Sequence, residues 1–190
     1  MAKLAVVYHS GYGHTDRLAQ SVLAGAAGVP GIEAQAIRID AEGNLPEGGW
    51  EALAAADAII FGSPTYMGGS SWQFKKFADA TSKPWFVRAW QDKLAAGFTN
   101  SASPNGDKFS TLQYFVTLAM QHGMLWVGTG MPPASQKATP PDAVNRLGGF
   151  TGALAATPAD ASVEEMNAGD LETARLFGAR VAEQAKRLLG

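Results

Sequence analysis

Lys3-Leu4-Ala5-Val6-Val7-Tyr8-His9-Ser10-Gly11-Tyr12-Gly13-His14-Thr15 reads as a buried strand that turns directly into a helix. Lys3 to Tyr8 is apolar, rich in Val and short, the pattern of a strand covered on both faces. Ser10-Gly11-Tyr12-Gly13 stops it. From Thr15, apolar residues recur as Leu18, Ala19, Val22, Leu23 and Ala26, a helical stripe closed by Gly28 and Pro30. The same alternation runs on down the chain. A strand at Ile32–Ile39 is followed by turn residues 42–49 and a short helix at Trp50–Ala56. A strand at Ala58–Gly62 is followed by a Pro/Gly loop, Ser63 to Gly69, that opens a helix through about Ser82. Strands are then expected at Lys93–Thr99 and Met124–Val127, with a helix at Leu112–Gln121 between them. Leu171, Ala174, Phe177, Gly178, Val181, Ala182, Ala185, Leu188 and Leu189 give the last helix its stripe. Strands alternating with helices imply parallel pairing and right-handed crossovers. The expectation is an α/β fold, a doubly wound five-stranded parallel sheet with helices on both faces, as one domain over residues 1–190. Gly128 to Gly169 is too long for an ordinary connection, and such stretches are functional or disordered.

Composition narrows the chemistry. With 15 Lys+Arg against 17 Asp+Glu, the net charge of −2 creates no field that would gather nucleic acid or an anionic membrane. Cys is absent, which removes thiol nucleophiles, disulfides and Cys-ligated metal centres together. Three His, at 9, 14 and 122, leave little for a histidine metal site, so no metal is expected. The first apolar run is far shorter than the roughly 18 residues needed to span a bilayer, and no small-residue cleavage site follows it. We read a soluble cytoplasmic protein with no stable membrane insertion.

In an open parallel sheet, ligands sit beyond the carboxyl ends of the strands, near the point where strand order reverses. Three strand exits have ligand-friendly residues here. Ser10 to Thr15 combines two glycines, two hydroxyls and a helix N-terminus, which together make a phosphate cradle. It lacks the spacing and the Lys of a P-loop, and Asp16 stands where a dinucleotide fingerprint would have its third glycine. A single terminal phosphate remains; the plainer reading is a glycine-rich turn with a helix cap. Gly62-Ser63-Pro64-Thr65-Tyr66-Met67-Gly68-Gly69 offers a stiff backbone and residues that can lie against a planar ring, or an ordinary turn with an aromatic. Thr99 to Asp107 is small and polar, and as a surface loop would need no further account.

Taken as a set with His122-Gly123-Met124, these stretches resemble the signatures of WrbA-type NAD(P)H:quinone oxidoreductases, flavodoxin-like FMN proteins. The resemblance covers nearly the whole chain. It implies that Ser10, Gly11, Tyr12, Gly13, His14 and Thr15 hold the FMN phosphate, and that Pro64, Thr65, Tyr66, Met67 and Gly68 hold the isoalloxazine ring. Asn100, Ser101, Ala102 and Ser103 would hold the ring edge and ribityl chain. It further implies that His122 approaches the flavin site from its own or a neighbouring subunit as a cofactor-binding and catalytic residue, that Trp85 borders the substrate pocket, and that the chain forms a homodimer or homotetramer. Helix capping would equally explain His122. Tyr66-Met67 departs from the family's polar residue followed by Phe, and Asn100, Ala102 and Pro104 interrupt its Ser/Thr/Gly-rich third loop. Those changes bear on substrate preference. No functional residue is carried across Met131–Ala168.

The implied reaction is two-electron transfer from NAD(P)H to a quinone. With no dinucleotide fingerprint, the nicotinamide nucleotide would be a passing substrate and the kinetics ping-pong. The alternatives are a flavin, azo- or nitro-compound reductase on the same fold, and a flavodoxin-type carrier with no substrate of its own. The small net charge speaks against the carrier. Trp72, Phe74, Trp85, Phe86 and Trp90 are expected to divide between core, pocket and subunit interface.

Overall fold

The structure, a computed structural model, describes residues 1–189. Its elements run β1 (Ala2–His9), α1 (His14–Ala27), β2 (Ile32–Ile39), α2 (Gly49–Ala55), β3 (Ala58–Tyr66), β4 (Gly69–Ser70), α3 (Trp72–Ala80), α4 (Ser82–Phe86), β5 (Leu94–Ser101), α5 (Lys108–Gln121), β6 (Leu125–Trp126), β7 (Ala153–Ala156) and α6 (Ala168–Leu189). The main path of the sheet is β2-β1-β3-β5-β6, all parallel. Strand order therefore reverses between β1 and β3, and a ligand crevice is expected outside their carboxyl ends.

Alternating side chains of the buried strands feed two cores, one on each face. Leu4, Val6, Tyr8, Ile60 and Phe98 pack under α1 and α6 with Leu18, Val22, Phe177 and Val181. Ala5, Val7, Ile59, Phe61 and Ala95 pack under α2, α3 and α5 with Leu53, Phe74, Phe77, Leu112 and Phe115. Helices α1 and α6 touch backbone to backbone. A Cβ on Gly25 would run into the carbonyl oxygen of Arg175, and one on Gly178 into that of Val22. Glycine inside a helix costs about 1 kcal/mol in propensity, so its place in both helices here is one of close approach.

The outer strand differs from the five simple strands expected. It is broken in two: β6 pairs with the start of β5 (Leu94↔Leu125, Ala95↔Trp126) and β7 with its end (Phe98↔Ala153 to Ser101↔Ala156). Residues 127–152 form an insert between the halves. The insert is fastened by Thr129, whose N–H donates to Phe150 O and whose hydroxyl donates to Gly149 O, and by Asn145, which donates to Met131 O and accepts from Gly149 N. Ala153–Ala156 is short and poor in β-branched residues, and so gave little strand signal.

The stretch Ser63–Gly69 is also not a simple loop. β3 continues through Tyr66 and folds back as a hairpin onto β4, with Met67 and Gly68 both at positive φ (47° and 76°), as a two-residue primed turn requires. Pro64 lies past the last β1–β3 pair, Tyr8↔Gly62, where the strand has a free side. Helix α3 starts after the hairpin with Ser71 as its cap, Oγ accepting from Phe74 N. β5 likewise runs two residues beyond the expected end, so Asn100 and Ser101 are strand residues, and α5 begins four residues earlier than the apolar stripe indicated. Trp90 and Phe74 are buried in the core, whereas Trp72, Trp85 and Phe86 are exposed.

Candidate functional site

A cavity of about 410 Å³ opens at the carboxyl edge of the sheet, lined by Tyr12, His14 and Thr15 after β1, Pro64, Thr65 and Tyr66 of β3, Asn100, Ser101 and Ala102 at the end of β5, and Thr157 and Ala159 after β7. It is within the range of small-ligand sites. Four strand exits converge on it.

The first wall is the turn into α1. Ser10 Oγ accepts from Gly13 N (3.2 Å) and Asp16 N (3.1 Å), so the loop closes on the hydroxyl oxygen and the hydroxyl proton is left to donate elsewhere. The amides of Tyr12, His14 and Thr15 have no partner among the described residues, and Thr15 is buried against the cavity. Gly13 takes φ 95° to make the turn. Asp16 would repel an anion here, but its carboxylate accepts from the Tyr8 hydroxyl and faces Arg38 at 3.8 Å. Burial, then the bond to Asp16, raises the Tyr8 pKa well above the usual phenol range, so Tyr8 stays a donor. Free amides at a helix N-terminus, with hydroxyls beside them and the nearby acid paired, fit a terminal monophosphate. His14 Nε2 donates to the carbonyl of Ala161 (3.0 Å) and ties this loop to the segment after β7.

The second wall comes from β3. Thr65 Oγ1 lies 2.8 Å from both Thr99 Oγ1 and Thr111 Oγ1, which are fully buried and have no other hydroxyl partner among the described residues. Two bonds join the three hydroxyls, so one proton is left over; with Thr99 and Thr111 as the donors it is that of Thr65, the one of the three that lines the cavity. Tyr66 crosses the mouth. Its hydroxyl sits over the Cα of Gly11, where a Cβ would meet it at 2.5 Å, and its ring meets Tyr12 edge to face with centroids 6.2 Å apart. Burial, with Tyr12 adding, raises its pKa, so it is a neutral phenol at neutral pH. A planar ring could lie against this aromatic pair. Met67 and Gly68 form the hairpin tip outside the cavity, and the Met67 side chain is fully exposed.

The third and fourth walls meet at Asn100, whose Oδ1 accepts from Thr157 Oγ1 (3.0 Å), leaving the Asn100 amide nitrogen as the free end. Ser103 lies in the exposed loop beyond Ala102, and its carbonyl accepts from Ser101 Oγ. Thr157 and Ala159 were missed in the sequence. The only local signal is faint, the polar Thr157-Pro158 after the short apolar run Ala153–Ala156.

His122 and Trp85 do not reach this cavity within one chain. Helix α5 leaves the carboxyl edge at Lys108 and carries the chain to the opposite edge, so its C-cap His122 ends roughly 20 Å away along a 14-residue helix. There His122 and Trp85 border a different groove, of about 680 Å³, with Phe86, Arg88 and Met120. His122 is buried and stacks on Trp90 at 4.4 Å. Thr81 Oγ1 already donates to Ala78 O, so His122 Nε2 carries the proton and donates to Thr81 Oγ1 (2.9 Å). Nδ1 has no partner. Burial lowers the His122 pKa, so the ring is neutral.

Residues 9–139 match the family described as NADPH-dependent FMN reductase. The chain is 52% identical to flavodoxin FldP of Pseudomonas aeruginosa over 99% of both chains, and 35% identical to an NAD(P)H dehydrogenase (quinone) of Archaeoglobus fulgidus over 99% of this chain and all of that one. Among solved structures it is similar to a WrbA-like flavodoxin from Agrobacterium tumefaciens, with 55% identity, a TM-score of 0.80, and 98% and 99% of the two chains covered. A turn of free amides and hydroxyls at the switch point of a doubly wound sheet agrees with those likenesses, and the chain belongs to the NADPH-dependent FMN reductase family, among its WrbA-type, flavodoxin-like FMN proteins.

Proposed function

We propose that this FMN-dependent oxidoreductase carries two electrons from NAD(P)H to a quinone, with NAD(P)H, one proton and quinone giving NAD(P)⁺ and quinol. FMN, when bound, supplies the redox chemistry. Ser10, Thr15 and the free amides of the α1 turn would hold its phosphate, and Thr65, Tyr66, Asn100, Ser101 and Ala102 its ring and side chain. The observation that carries this reading is the cavity itself: one cleft, open at the Tyr12–Tyr66 side, lined by neutral hydroxyls and amides with aromatics at the mouth. A chain without Cys and without a dinucleotide fingerprint has one place for such chemistry, so both substrates would use the same slot in turn.

The groove at Trp85, Phe86 and Met120 supports a homo-oligomer in which a second copy brings His122 and Trp85 to the slot. Exposed aromatics of this size are a cost unless covered. Trp85→Ala should then raise KM for quinone more than for NAD(P)H and weaken assembly in sedimentation analysis. Equal effects on both KM values, with assembly unchanged, would return Trp85 to the surface.

A second reading, the flavodoxin-type carrier, draws on the 52% identical relative of that name. Anaerobic stopped-flow reduction by NADH and NADPH separates the two. Rapid bleaching of the flavin band followed by reoxidation with quinone supports the enzyme; bleaching far slower than turnover in a partner-coupled assay supports the carrier. Azo and nitro acceptors in the same assay test the remaining alternative.

A further inference from the structure

Lys108 is the first residue of α5 and is 1% exposed. Its ammonium donates to the carbonyl oxygens of Ser103 (2.6 Å), Pro104 (2.9 Å) and Asn105 (3.2 Å), so all three N–H groups go to the loop between the cavity wall and its own helix. The position is unfavourable for a cation in three ways. It is buried, it lies at the positive end of a helix, and Arg146 is near. Burial pushes the Lys108 pKa down to about 8, Asp170 of α6 opposes this, and Arg146 of the insert adds to it.

The loop shows what the cation does. All its peptides are trans, so each carbonyl turned toward Lys108 turns the amide of the same peptide away. The N–H groups of Asn105 and Gly106 therefore point away from the ammonium, and neither has a partner among the described residues. Gly106, at φ 52°, lets the loop fold over Ser101, whose hydroxyl also donates to Ser103 O. The result is a loop with carbonyls gathered inside and free donors outside, next to the cavity wall of Asn100, Ser101 and Ala102.

We propose that Lys108 is a positioning residue for the cofactor: by gathering three carbonyls it sets the Asn105 and Gly106 amides as donors to the acceptor-rich edge of the FMN ring. The proposal rests on FMN being the ligand of this cavity. It gives a pH signature with opposed signs. Above about pH 8 the amine loses one donor, the loop loosens and FMN affinity falls. Fold stability moves the other way, because the unfolded chain holds this proton up to about pH 10.4 and the buried charge is relieved first. Asp170 and Arg146, the charged groups facing Lys108, are paired with each other at 2.8 Å.

The test compares the wild type with Lys108→Met, an isostere without the charge. FMN affinity is followed by fluorescence quenching between about pH 7 and pH 9.5, and the backbone order of residues 102–107 is followed by 15N relaxation without FMN. The wild type should lose about tenfold in affinity across that range; Lys108→Met should bind about tenfold or more weakly at pH 7, with no step near pH 8 and with lower order parameters in the loop. Equal affinity at pH 7, or equal loop order, would overturn the proposal. Should the variant fail to fold, the wild-type series decides: a step supports the proposal and a flat profile overturns it. Should the wild type bind no FMN, the FMN reading fails, while unchanged loop order in Lys108→Met would still separately remove the clamp.

Discussion

Gly13 holds the turn into α1 at φ 95°, and a Cβ there would meet Val163 Cγ2 at 2.9 Å. A β-branched residue is strained at that φ whatever the space. Gly13→Val should weaken FMN binding by tenfold or more in calorimetry, and FAD, with no second pyrophosphate fingerprint to meet it, should bind less tightly than FMN to the wild type. Equal FAD affinity, or an unaffected variant, would remove the phosphate assignment. Tyr66→Ala should change bound-flavin fluorescence and quinone turnover while sparing the phosphate contacts; an unchanged spectrum and kcat/KM would place Tyr66 outside the ring site. His122 makes a prediction about pH. Its folded pKa lies below its unfolded value near 6.5, as does that of buried His9, so the unfolded chain binds the extra protons. The stability tied to neutral imidazole is complete above about pH 6.5 and is lost as pH falls toward the folded values. His122→Gln, which keeps a donor for Thr81, should flatten the fall in Tm between about pH 7 and pH 5. An unchanged slope would mean that His122 is not held neutral by the fold.

Among elements, the split outer strand does most to complete the site, and it was the least legible. Five strands, their parallel pairing and the helices between them follow from periodicity, because β1, β3 and β5 are long runs of buried apolar residues. β6 has two residues and β7 four, too few for a period, and what joins them is the pairing of both with β5, a long-range fact. The exit of β7 and the segment to α6 were therefore unread, and with them Thr157 and the His14–Ala161 tie. That segment is anchored by Asp170, whose carboxylate, 2% exposed, receives Arg146 Nε and Nη2 at 2.8 Å each and Ala156 N at 2.9 Å. Asp170→Ala would leave a partly buried guanidinium and a buried amide unpaired. A loss of about 3–5 kcal/mol in chemical denaturation is expected. A loss under 1 kcal/mol would show the anchor to be replaceable by water.

For the molecule as a whole, the switch between β1 and β3 decides where chemistry can occur. The sequence placed three of the four exits around it, since glycines, hydroxyls and Pro after apolar runs are local signals. Lys108 carried none: a lysine before an apolar stripe reads as a solvated helix start, and only its burial under three carbonyls marks it. His122 and Trp85 show the reverse, residues whose place in one chain is at the far edge of the sheet and whose proposed part in the slot would need a second copy. In the proposed function one slot serves two substrates in turn, and steady-state kinetics over a matrix of NAD(P)H and quinone concentrations asks about that slot directly. Double-reciprocal plots at several fixed quinone concentrations should be parallel, because oxidised nicotinamide must leave before quinone enters; lines that intersect, showing both substrates bound together, would contradict the account.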